Sequence, residues 1–267
     1  MNNFITKSHI DGGNAFDWGR TSEDYAKFRD IYPPVFYGKL LEMGLCTHGQ
    51  RVLDIGTGTG VIPRNMYKHG ACFTGADISP NQIEYARRLS EQAGMDISYI
   101  VASAEEIDLS DNSFDTVIAC QCYTYFDKGV VFPNVYRMLK DGGHFCILFM
   151  AWLIEESEIA DTSEALVRKH NPAWTDHSVK RFTFPFPKEA EGLFSVADSF
   201  VYDLPVSFTR ESWHGRIRAC RGIGASSLSE SQLAAFEKEH TEYLQGVPGS
   251  FKIPHFATVL NLQKHEK

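Results

Sequence analysis

The sequence predicts an α/β protein built on a mostly parallel sheet covered by helices. Strand-like and helix-like segments alternate regularly from Arg51 to Met150. Three of the strand segments are continuous apolar runs, the pattern of strands buried on both faces. The first of them runs into a turn with three glycines, Gly56, Gly58 and Gly60, and then into a helix. A strand, a glycine turn and a helix in that order form a cradle for a nucleotide.

Each element has its own signal. Thr21 with Asp24 reads as an N-cap pair for a helix through Tyr25, Phe28 and Arg29. Pro33 and Pro34 stop it and open a second helix, through Leu40 and Leu41 to Gly44. Arg51–Ile55 is the first strand. The helix after its glycine turn reaches about Lys68 and closes at Gly70. Pro63 falls in its first turn, where the missing N–H has no helical partner. Cys72–Ala76 is the second strand, ending at Asp77. Ser79, Pro80 and Gln82 then give an N-cap, a first helical position and a capping box.

Ile97–Val101 and Thr116–Cys120 are the third and fourth strands. A helix from about Val130 to Leu139 follows, closed by Asp141-Gly142-Gly143, and His144–Met150 is the fifth strand. Beyond Ala151 the pattern loosens. A helix over Ile154–His170 and late strands at Val196–Val206 and Phe256–Leu262 bring the strand count to seven. A helical insert, Thr209 to Leu244, breaks near Gly222–Ser227. The expectation is one domain over 1–267. Residues 1–45 are an N-terminal helical cap, 46–150 the core, and 151–267 the late strands with a cap at about 207–250.

Composition narrows the function. The 267 residues are 43% hydrophobic and 22% charged, ordinary for a globular chain, and the net charge is −8. No basic tract marks a nucleic-acid surface. The longest apolar run, Phe145 to Ile154, is far short of the ~20 residues of a membrane span. Six scattered cysteines without zinc spacing read as reduced thiols in a cytoplasmic protein, with no metal site. No P-loop and no G-x-S-x-G elbow is present. The glycine spacing is G-x-G-x-G, not the G-x-G-x-x-G of dinucleotide folds. Asp77, about 20 residues on, stands where a carboxylate can accept both hydroxyls of a ribose.

Five segments together resemble one family. Val52-Leu53-Asp54-Ile55-Gly56-Thr57-Gly58-Thr59-Gly60 resembles the first motif of class I S-adenosylmethionine (SAM) dependent methyltransferases. Gly75-Ala76-Asp77-Ile78-Ser79 resembles the second. Ala102–Glu105 and Phe114–Val117 are similar to the third and fourth, and Leu139–Gly143 to the turn before the fifth strand. The resemblance covers residues 25 to 150. It implies a Rossmann-like, doubly wound sheet of seven strands, the last antiparallel.

The resemblance also implies roles. Asp54, Gly56 and Gly58 would hold the methionine half of SAM, Asp77 the ribose and Ile78 the adenine. Gln82 would reach the ribose, and Ala104 and Glu105 would border the adenine. Many relatives carry Asp where this chain has Ser103. Cys120 and Gln121 would pass near the sulfonium. Tyr25 and Arg29 would close over the cofactor, the guanidinium pairing with its carboxylate. The alternative is a packed tyrosine and a surface arginine.

Tyr125, Trp152 and Trp213 are candidates for the acceptor side, against a plain core reading. Arg210, Arg216, Arg218 and Arg221 suggest an anionic acceptor, against a solvated face. His214 is the one candidate base; catalysis by proximity needs none. The expected activity is methyl transfer from SAM to a small molecule. The alternatives are an NAD-dependent oxidoreductase and a non-catalytic SAM-binding protein.

Overall fold

The computed structural model describes residues 4–8, 10–175 and 179–266. Seven strands form one mixed, mostly parallel sheet in the order β3-β2-β1-β4-β5-β7-β6. They are β1 Arg51–Ile55, β2 Cys72–Asp77, β3 Ser98–Val101, β4 Phe114–Cys120, β5 Leu139–Trp152, β6 Phe194–Thr209 and β7 Ser250–Lys264. The helices are α1 Ser22–Phe28, α2 Pro34–Glu42, α3 Val61–Met66, α4 Pro80–Gln92, α5 Lys128–Met138, α6 Glu158–His170, α7 Arg210–Arg218 and α8 Glu230–Gln245.

The chain divides into two compact units. The larger comprises Tyr32–Met150, Arg181–Tyr202 and Ala257–Lys267. Within it β1 pairs in parallel with β2 and β4, β2 with β3, and β4 with β5. Leu53, Ile55, Val117, Ala119, Phe145 and Ile147 put their side chains into one core with Phe132 and Val135 of α5. Apolar runs become parallel strands because both of their faces find a partner here. The strand order reverses between β1 and β4. In an open α/β sheet that is where the carboxyl ends of the strands leave a crevice for a ligand.

The smaller unit comprises Met1–Ile31, Ala151–Lys180 and Asp203–Phe256. Its α1, α6, α7 and α8 pack on one another. A Cβ on Gly215 of α7 would collide with the ring of Phe28 in α1. Trp213 is fully buried, edge-on to Trp152 and Phe208. Arg221 and Asp11 form a buried ion pair.

Several boundaries differ from the sequence expectation, each for a local reason. Thr21 does not cap α1: its hydroxyl donates to the Trp18 carbonyl. A 3-10 turn, Trp18–Thr21, precedes the helix, and Asp17 caps that turn through the Gly19 amide. The expected helix over 154–170 is divided at Ser157, whose Oγ accepts the Ala160 amide and starts α6. β5 begins at Leu139, because Leu139 pairs with Phe114 before Lys140–Gly143 bulge out and His144 resumes opposite Thr116. β6 and β7 extend beyond the predicted runs. β6 alternates buried and exposed residues, so an apolar-run criterion clips its ends.

Candidate active site

The glycine turn is fixed by two acids. Gly56, Gly58 and Gly60 all have left-handed backbones, φ 69°, 56° and 75°, which side chains disfavour. Asp54, buried at the end of β1, accepts the Thr57 hydroxyl on Oδ2 at 2.6 Å. Asp77, at the end of β2, accepts the Gly58 amide on Oδ2 and the Ser79 amide on Oδ1, each at 2.9 Å. The Thr57 amide donates to Ala76 O, so the turn leans on β2 along its length. Ser79 accepts the Gln82 amide and opens α4, which is one half of the expected capping box.

The glycines also serve packing. A Cβ on Gly56 would lie 2.7 Å from Cβ of Cys122, and one on Gly60 would meet the ring of Tyr99. Cys122 donates from Sγ to Ile55 O at 3.0 Å. Thr57, Tyr99 and Cys122 are site-shaping residues that sequence reasoning missed. Thr57, three residues after Asp54, carried a signal. Tyr99 carried none, because its contact with the turn is made across the sheet.

Burial sets the electrostatics. Desolvation pushes the Asp54 carboxyl up to about 7, against the hydrogen bond from Thr57, with Asp77 raising it further. Burial also raises Asp77, opposed by its two amide bonds. Asp54 Oδ1 has no hydrogen-bond partner among the described residues. A buried acceptor left without a partner is costly, so the site is suited to a ligand that brings donors. Hydroxyl donors suit both acids: Asp54 has an enclosed oxygen without a partner among the described residues, and Asp77 keeps lone pairs beyond its two amide bonds.

The other expected cofactor residues of the larger unit lie along the same strand ends. Ile78 is half-buried after β2, and Gln82 is buried in α4. Ala104 and Glu105 follow β3; Glu105 accepts the Asp127 amide on Oε1 at 2.8 Å, at the start of α5. Cys120 and Gln121 end β4. Tyr125 is half-buried against the core.

Family comparison agrees with this chemistry. The profile described as a methyltransferase domain matches residues 53–147. The chain carries a methyltransferase domain over these residues and resembles the class I SAM-dependent methyltransferases. Methyltransferases of that class use SAM as their methyl donor. An uncharacterized methyltransferase of Mycobacterium tuberculosis is 26% identical over 182 residues, 61% of this chain and 72% of that one. A ubiquinone biosynthesis O-methyltransferase of Brucella ovis is 29% identical over 170 residues, 62% of this chain and 67% of that one. The crystal structure of the Bacillus subtilis YcgJ protein shares the fold, with TM-score 0.52 and 22% identity, over 86% of this chain and 98% of that one.

Tyr25, Arg29, Trp152, Trp213, His214 and Arg218 belong to the smaller unit. Arg29 stacks over Tyr25, 4.6 Å from guanidinium carbon to ring centroid, and Trp18, unforeseen, stands 5.8 Å from it. Trp213 is corrected from acceptor contact to core, since a fully buried ring offers no face to a ligand. Its Nε1 donates to Ser163. Trp152 donates to the buried Glu164 at 2.5 Å, and Arg216 lies over its ring.

The expected anion-binding arginines are largely engaged. Arg218 pairs with Asp24 and Glu237, Arg221 with Asp11, and Arg210 donates to Val247 O. Arg218 is corrected accordingly: its charge is already answered.

His214 Nδ1 lies 2.9 Å from His240 Nδ1, and His240 Nε2 lies 3.0 Å from Ser163 Oγ. Ser163 donates to Ile159 O and accepts from Trp213. Its remaining lone pair then accepts a hydrogen bond from the His240 Nε2–H, so that His240 Nδ1 accepts and His214 donates from Nδ1. His214 Nε2 keeps its lone pair. Burial and Arg218 lower the pKa of His214, which favours this neutral form.

Proposed function

We propose that the chain transfers a methyl group from SAM to a small-molecule acceptor, with the cofactor held at the β1 and β2 strand ends. The observation that carries this reading is the pair of acids at the glycine turn. Asp54 presents an unpartnered buried oxygen, and Asp77 anchors the Gly58 amide while keeping further lone pairs on its oxygens. Asp77 would accept the ribose hydroxyls. Gly56 and Gly58 give the methionine half a surface without side chains, and Asp54 orients it. Ile78 and Ala104 flank the adenine.

SAM, when bound, supplies a methyl group carried on a sulfonium sulfur. The chain's contribution is alignment and the exclusion of water, worth several kcal/mol on general grounds. The Brucella relative's name, an O-methyltransferase, is a reason to try hydroxyl acceptors first. The small acceptor fits an acidic chain with no basic tract.

Calorimetry with SAM, S-adenosylhomocysteine and NAD tests the reading. The expected result is SAM binding in the micromolar range, weakened at least tenfold by Asp77→Ala, with no NAD binding. Tight NAD binding in place of SAM overturns it.

A further inference from the structure

Gln121 stands at the end of β4 with a left-handed backbone, φ 69°. Glycine would make this turn without strain, so the side chain is the reason to have a glutamine there. Two bonds fix it to β5. Its amide N–H donates to Leu148 O at 2.9 Å, and its Nε2 donates to Met150 O at 2.6 Å. A carbonyl can only accept, so the amide nitrogen must face Met150. Oε1 is therefore turned away from β5, and no hydrogen bond to it is made by the described residues.

The adjoining residues place this segment. Cys122 fills the space where Gly56 lacks a Cβ, and Cys120 Sγ lies 3.5 Å from the hydroxyl of Tyr32, which stacks on Phe36. The segment thus joins the first glycine of the cofactor turn to an aromatic wall. It does so beyond the carboxyl ends of β1 and β4, where the strand order reverses.

We propose that Gln121 Oε1 orients the acceptor, accepting a hydrogen bond from the N–H or O–H of a primary or secondary amine or a hydroxyl. This rests on the methyl-transfer reading above. The acceptor's lone pair forms the new bond to the methyl carbon. The carbon–sulfur bond breaks and its electron pair returns to sulfur. The hydrogen steered by Oε1 then leaves to water as a proton. Gln121 takes no proton itself; it sets direction. An acceptor atom without a hydrogen, as in a tertiary amine or a thioether, gains nothing from it.

Sinefungin tests this without a known acceptor, because it carries an amine where SAM carries the sulfonium methyl. Its affinity is compared with that of S-adenosylhomocysteine, which lacks the group. Gln121→Met is expected to weaken sinefungin roughly tenfold and to change S-adenosylhomocysteine less than twofold. Gln121→Gly, which removes Oε1 and suits the left-handed backbone, is expected to weaken sinefungin to the same degree and to spare S-adenosylhomocysteine. It carries the comparison if Gln121→Met does not fold. Equal effects on both ligands, or none, overturn the proposal. Failure of the wild type to bind either nucleoside overturns the underlying reading instead.

Discussion

Asp54 is the residue on which site and stability compete. Its carboxyl stays protonated in the folded chain up to about pH 7, whereas the unfolded chain ionises from about 3.8. The folded pKa is the higher one. Stability from this group is therefore fully present below about pH 4, falls between 4 and 7, and is lost above 7. Asp54→Asn removes that slope. Thermal melts are expected to show the variant gaining on the wild type as pH rises from 4 to 8, by roughly 2–4 kcal/mol at the upper end. A difference that does not change with pH would contradict the assignment. The same variant is expected to lose SAM affinity, since an acid kept at a stability cost is a mark of a functional site.

Elements meet in the smaller unit through a missing side chain. Gly215 lies inside α7, where alanine is normally better by about 1 kcal/mol. Here the added Cβ meets the ring of Phe28 in α1, and overpacking of that kind costs about 1–3 kcal/mol. Gly215→Ala is expected to destabilise the protein in chemical denaturation. In a Phe28→Ala background the sign reverses, because the obstacle is gone and the helix preference remains. If the substitution costs the same in both backgrounds, α1 and α7 do not pack as described. The capping boxes are the contrasting case. Thr209 with Ser212 and Ser229 with Gln232 start α7 and α8 by contacts within four residues, so local sequence suffices to place them.

At the scale of the whole molecule the two units respond to pH in opposite senses. His240 and His255 of the smaller unit are buried neutral, their pKa values lowered by burial to about 3. Stability from these groups is fully present above about 6.5 and is lost as pH falls from there toward 3. Asp54 of the larger unit works the other way. Hydrogen exchange at pH 4.5 and 7 is expected to show protection lost first in α7, α8 and the start of β7. Uniform loss across both units would refute this. Among the described residues no helix is long and apolar enough to cross a membrane.

The sequence by itself determined the order of the elements, the parallel core, the glycine turn and its two acids. These follow from short-range rules: apolar runs, caps, and glycine where the backbone must turn left-handed. The family resemblance was legible for the same reason, since its motifs are contiguous. Only the tertiary structure decided the rest. Tyr99 and Cys122 shape the turn from other strand ends, and no local pattern announces a contact across a sheet. Trp213 reads equally well as pocket or core until its surroundings enclose it. Arg218 reads as a free cation until Asp24 and Glu237, 194 and 19 residues away, answer its charge. The resemblance set Gln121 near the sulfonium, but only its backbone angle and its bond to Met150 fix which way its amide faces. Side-chain chemistry is written in the sequence, but which groups neutralise or enclose one another depends on contacts made after the chain has folded.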